Sequence, residues 1–168
     1  SLVASLSNSA HLADHKKISE LSLNKKVILL LRNPVDVAMS RTFRKEEYKK
    51  DVAPKASDLD YLERNCLYLE RFYGNLDLQS FDAILKYENL RKMPYEEMRL
   101  LVDILGLKSS SDAIRKAVEK TSESAVKESI AKGEAPVTNI FTGQRDEMGW
   151  AIEYAENRLG EISKQLGY

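Results

Sequence analysis

Arg32 closes the apolar run KVILLL (Lys26 to Leu31), and Ser40 follows it by eight positions in RNPVDVAMS. A guanidinium does not shed its proton cheaply. At the end of a run that reads as a buried strand it needs an anion, an acidic side chain or open water. Asn33 is a good N-cap and Pro34 a good first helical residue, so VDVAMSRTFRKEEY is expected to turn helical at once. On that helix Ser40 comes seven residues after Asn33, about two turns, and returns to roughly 20° from the cap on the same face. A phosphate group beside that face could take a bidentate pair from Arg32 and one hydrogen bond from Ser40. The competing arrangement pairs Arg32 with Asp36 or Glu88 and leaves Ser40 facing solvent. Spacing alone leaves both open.

The elements that must position these residues follow from periodicity. KVILLL is continuous rather than alternating, which predicts a strand covered on both faces within a parallel sheet. Strand, tight turn and helix then place ligand-binding groups at the carboxyl end of that sheet. Phe81 to Tyr87 (FDAILKY) reads as a second strand. Behind it Tyr95, Met98, Val102 and Leu105 repeat at helical spacing, with Gly106 as the stop. Leu59, Leu62, Cys66, Leu69 and Phe72 form the stripe of a scaffold helix ending near Gly74. Ser111 to Lys132 is expected to be helical with a break near Thr121-Ser122, and Glu134 to Gly143 (EAPVTNIFTG) to be a loop. Met148, Ile152, Ala155, Leu159, Ile162 and Leu166 make a full apolar seam. It is expected to pack on the core, with self-association through this C-terminal helix as the alternative use.

Composition narrows the function classes. The 168 residues suit a single domain. Lys plus Arg (26) equals Asp plus Glu (26), so there is no overall field for nucleic acid or an anionic membrane, and any anion site must be local. Cys66 is the only cysteine, which excludes an intrachain disulfide and a cysteine-based zinc site, and makes a cytoplasmic location and the absence of a metal the expectations. No apolar run approaches the roughly eighteen residues of a membrane span, and no leader is legible at the start. The chain begins with Ser1 rather than Met.

RNPVDVAMS closely resembles the 3′-phosphate-binding motif of the sulfotransferases that use 3′-phosphoadenosine 5′-phosphosulfate. KYENL (Lys86 to Leu90) resembles that family's Tyr-Glu-Asp-Leu segment, LLVDILGL its Phe-Leu-Gly helix end, and KTSESAVK (Lys120 to Lys127) its His-Thr-Ser-Phe segment. The resemblance implies an α/β fold, a P-loop-kinase-like parallel sheet flanked by helices, helix-rich and incomplete in this chain. It implies transfer of a sulfo group from the nucleotide donor to an acceptor hydroxyl, with a carbohydrate as a candidate acceptor. Arg32 and Ser40 would grip the donor's 3′-phosphate, and Tyr87 and Thr121 would hold its adenosine part. His11, 21 residues before Arg32, stands near the family's catalytic histidine and would take the acceptor's proton.

The chain also departs from the family pattern. The lysine loop resembling Pro-Lys-Ser-Gly-Thr-Thr, which wraps the 5′-phosphosulfate, has no counterpart among these residues, and neither has G-x-x-x-x-G-K-[ST]. The family's Arg-Lys-Gly motif is matched only by Gly143, with Arg145 as a stand-in for one of the lost charges in FTGQRDEMGW. Glu123 replaces an aromatic residue commonly set against adenine, and Ser9 stands where a basic residue often precedes the histidine. A single N-terminally truncated sulfotransferase-like domain fits this pattern. The alternatives are a non-catalytic nucleotide-binding module of the same fold and a helical protein-interaction domain.

Overall fold

The computed structural model of the chain describes residues 26–43, 49–50, 53–132 and 148–168. Strand β1 (Ile28–Leu31) leads into helix α1 (Pro34–Phe43), and α2 (Asp58–Gly74) follows. A single 3₁₀ turn (Leu78–Ser80) precedes β2 (Ala83–Lys86), which passes directly into α3 (Tyr87–Lys92). Helices α4 (Pro94–Ile104), α5 (Ser111–Lys120), α6 (Glu123–Ala131) and α7 (Gly149–Gln165) complete the described chain. It is a helix-rich α/β arrangement whose sheet, among the described residues, has two parallel strands in the register Ile28↔Ala83 to Leu31↔Lys86.

Local chemistry sets the helix starts. Asn33 Oδ1 accepts the Val35 N–H at 2.9 Å, and the Asn33 carbonyl accepts the Val37 N–H at 2.9 Å, so Asn33 caps α1 as its sequence predicts. Ser57 and Asp60 form a reciprocal capping box at α2. Hydrogen bonds from Ser57 hold the Asp60 carboxyl below its usual pKa. Ser110 and Ser122 accept from Ala113 and Ala125 at the starts of α5 and α6, which places the expected break at Thr121-Ser122. Gly106, at φ +64°, takes the left-handed turn that ends α4.

The core lies where α1, α2 and α7 meet. Ala38, Leu62, Cys66, Leu69, Ala151, Ala155 and Leu159 form one buried cluster. The small residues Ala38, Ala151 and Ala155 have no exposed surface, so the three helices approach closely. The α7 seam is thus spent on the core, as its periodicity predicts. Two buried polar side chains between α1 and α2 are bonded: Asn65 Nδ2 donates to Thr42 Oγ1 at 3.0 Å, and Thr42 donates to the Ala38 carbonyl at 2.8 Å. Arg158 on α7 makes a two-pronged pair with Glu70 on α2, at 2.7 and 2.9 Å.

One expectation is corrected. Leu29, Leu31 and Leu85 are buried, but Leu30 is 56% and Ile84 39% exposed. Side chains alternate across a strand and register partners share a face, so Leu30 opens on the face of Leu85 and Ile84 on the face of Leu29. The cause is the narrow sheet: among the described residues each strand has a neighbour on one side alone, so each face is covered only in part.

Candidate functional site

Arg32 leaves the carboxyl end of β1 just before α1 begins. Its guanidinium carbon lies 4.9 Å from the centre of the Tyr87 ring, the first residue of α3, a cation–π contact supplied by the end of the neighbouring strand. Its Nη2 is 3.9 Å from Asp36 Oδ2, a loose pair on the first turn of α1. The Tyr73 hydroxyl, from α2, donates to the Arg32 carbonyl at 3.3 Å. Arg32 Nε is buried without a hydrogen-bond partner.

Glu88 completes this corner. One carboxylate oxygen, Oε1, accepts the Asn33 backbone N–H at 3.0 Å, and the other, Oε2, is buried without a partner. Tyr168 comes in from beyond α7. Its backbone N–H donates to the Ser163 carbonyl at 2.9 Å, Lys86 Nζ donates to the Gly167 carbonyl at 2.8 Å, and the same ammonium sits 4.6 Å from the Tyr168 ring centre. The Tyr168 phenol lies beside the Glu88 carboxylate, yet its hydroxyl is buried with no partner in hydrogen-bond geometry. Burial, then the Glu88 carboxylate, pushes the Tyr168 phenol well above its usual pKa. The same two causes push Tyr73 up to about 12, against the opposing pull of Arg32.

Of four buried side-chain atoms without a partner among the described residues, Arg32 Nε, Glu88 Oε2 and Tyr168 Oη belong to this corner, and the fourth is Ser163 Oγ. Each such group costs about 1–3 kcal/mol. The corner therefore holds hydrogen-bonding capacity that the fold does not use: a guanidinium donor on Arg32, a phenol on Tyr168 and an acceptor oxygen on Glu88.

Ser40 opens onto an adjoining surface that shares Asn33, Asp36 and Tyr168 with this corner. A cleft of about 700 Å³ between α1 and α7 is lined by Ser40 together with Asn33, Asp36, Met39, Phe43, Ile152 and Tyr168, among others. Arg32 is not part of its wall. Asp36, Glu156 and Glu161 stand on this cleft against Lys164, which Glu161 already pairs at 2.8 Å, so the surroundings of Ser40 are less cationic than those of Arg32.

A description of the sulfotransferase domain family matches residues 4–139, most of the chain. This chain belongs to that family. No curated protein and no solved structure gives a significant match. Sulfo-group transfer in general is the activity that sulfotransferase domains imply.

Within this sulfotransferase domain, Arg32 and Tyr87 are brought into contact. Ser40 lies on the helix that starts beside Arg32, and faces the α1–α7 cleft. Thr121 is not brought to either. It is the exposed C-cap residue of α5, its hydroxyl donates to the Ala117 and Val118 carbonyls of its own helix, and α5 packs chiefly on α4 and α6. His11, Gly143 and Arg145 lie outside the described residues, as does the expected loop at 134–143. Among the described residues there is no cluster of three or more His, Cys, Asp or Glu able to hold a metal, and no helix is long and apolar enough to cross a membrane.

Sequence reading placed Glu88 only as a competing partner for Arg32 and passed over Tyr168. The signal for Glu88 was its place directly after Tyr87 at a strand end. Tyr168 carried no local signal beyond the Gly-Tyr that follows the α7 seam.

Proposed function

We propose that this sulfotransferase domain transfers a sulfo group from 3′-phosphoadenosine 5′-phosphosulfate to an acceptor hydroxyl, with a carbohydrate as the first acceptor class to test, and that Arg32 anchors the donor's 3′-phosphate. The observation that carries this reading is the state of Arg32: a guanidinium at the end of a parallel strand, stacked on Tyr87, loosely paired with Asp36 and with a free Nε. A phosphate there would compete with Asp36 for the outer nitrogens of the fork. Ser40 adds a neutral hydrogen bond from α1, and Tyr87 supplies an aromatic surface for the adenosine.

In the transfer the acceptor oxygen forms a bond to sulfur while the bond from sulfur to the donor's bridging oxygen breaks. The acceptor's proton passes to a base, for which His11 is the candidate, and the departing nucleotide carries away the negative charge. Thr121, Gly143 and Arg145 complete the proposed donor contacts, and Thr121 would join them only by giving up its helix-capping bonds. The same reading takes β1 and β2 as part of a P-loop-kinase-like sheet.

Calorimetric titration with adenosine 3′,5′-bisphosphate against adenosine 5′-monophosphate tests the proposal. Binding that requires the 3′-phosphate is the expected result. Equal affinity for the two nucleotides, or no binding of either, overturns the assignment of Arg32.

A further inference from the structure

Arg32 stands on a turn that a second residue holds in place. The turn has two long-range ties through its backbone: the Arg32 carbonyl accepts from the Tyr73 hydroxyl of α2 at 3.3 Å, and the Asn33 N–H, immediately after Arg32, is donated to Glu88 Oε1 at 3.0 Å. Asn33 uses its side chain and carbonyl to start α1, so this N–H is the group left to fix where the turn sits relative to β2. Glu88 begins one residue beyond Tyr87, whose ring carries the guanidinium. The carboxylate thus controls the backbone side of the corner and its neighbour the side-chain side.

The far end of the described chain reaches the same strand end. Tyr168 is seated by the Lys86–Gly167 hydrogen bond and by the Lys86 ammonium over its ring. Gly167 is at φ +76°, a backbone conformation that favours glycine. β2 and the segment after α7 thereby meet two residues before Glu88.

We propose that Glu88 is a positioning residue for the anion site at Arg32, tying the end of β2 to the turn that presents the guanidinium. It does not touch the donor. It sets the angle at which Arg32 leaves β1, and its charge keeps the guanidinium and the Asn33 N–H turned toward the same corner. This rests on the donor-site reading for its consequence in binding, but the tie itself can be measured without any nucleotide.

The test measures amide hydrogen exchange at Asn33, with Leu62 and Leu159 as reporters of the core, in the wild-type chain, Glu88→Ala, Glu88→Gln and Glu88→Asp. Glu88→Ala is expected to speed exchange at Asn33 at least tenfold while the core amides stay unchanged. Glu88→Gln, which keeps an acceptor oxygen, is expected to restore most of the protection, and Glu88→Asp, one methylene shorter, to raise Asn33 exchange a few-fold. In parallel, the preference for adenosine 3′,5′-bisphosphate over adenosine 5′-monophosphate is expected to fall at least tenfold in Glu88→Ala, an effect that a loss of stability alone would not produce. Asn33 exchange as slow in Glu88→Ala as in wild type overturns the proposal, and so does an unchanged nucleotide preference. If Glu88→Ala does not fold, Glu88→Asp decides by the same exchange rate, and an unchanged rate overturns it. A wild-type chain without any 3′-phosphate preference defeats the donor-site reading instead, and the tie then stands or falls on Asn33 exchange.

Discussion

The three-helix core and the strand-end corner treat buried polar groups in opposite ways. In the core, Asn65, Thr42 and the Arg158–Glu70 pair are bonded to one another or to backbone. At the corner, Arg32, Glu88 and Tyr168 each keep one buried atom without a partner. Satisfied groups specify and stabilise a fold; unsatisfied ones reduce its stability and persist where something else is to be bound. The comparison teaches that stability and binding capacity in this domain are located in different places, and substitutions should separate them.

The largest expected effect is in the core. Leu159→Ala removes a side chain with no exposed surface and should cost about 2–5 kcal/mol in urea unfolding, with the nucleotide preference of the remaining folded protein unchanged. A loss of preference as large as the loss of stability would break the separation. Next, Arg32→Ala should weaken binding of adenosine 3′,5′-bisphosphate by at least about 1.5–3 kcal/mol, measured by calorimetry, while leaving the unfolding midpoint unaltered or raised, because it removes a buried unsatisfied nitrogen.

A pH series sharpens the core side of the comparison. Burial raises the Cys66 thiol from 9.0 to about 11. Above pH 9 the unfolded thiol loses its proton while the folded one keeps it, so the folded state binds more protons and stability falls as pH rises through that interval. The contribution is fully present below pH 9. Its slope is at most about 1.4 kcal/mol per pH unit, and Cys66→Ala should flatten the decline in urea unfolding between pH 9 and pH 11. An equally steep decline in the variant would count against it. The smallest effect belongs to Ser40→Ala, expected to weaken bisphosphate binding by about 0.5–1.5 kcal/mol. A loss matching that of Arg32→Ala would mean that the two residues act as one unit.

What could be read from sequence was whatever local chemistry decides. The strand ending in Arg32, the cap at Asn33, the stripe of α2, the break at Thr121-Ser122 and the seam of α7 each depend on neighbours within a few residues, and each appears in the structure. The cover of β1 was misjudged because an apolar run does not say how many strands will flank it. Arg32 could be singled out because a charge at the end of such a run needs a reason. Its surroundings could not: Tyr87, Glu88 and Tyr168 reach it through pairing and packing across 50 residues or more of chain. Thr121 was selected by motif, but its place is set by how α5 packs on α4, which no short pattern encodes.

The parallel register of β1 and β2 has a consequence for how this site comes into being. Ile28 pairs with Ala83, so the strands cannot meet until the intervening chain, α1 and α2 included, has closed a long loop. Entropy makes that closure costly before any strand contact rewards it. Helices with local contacts form sooner. The corner where Arg32 meets Tyr87 is therefore expected to assemble late in folding and to open early in partial unfolding, with the α2 amides protected well before those of β1 in a pulse-labelled refolding experiment.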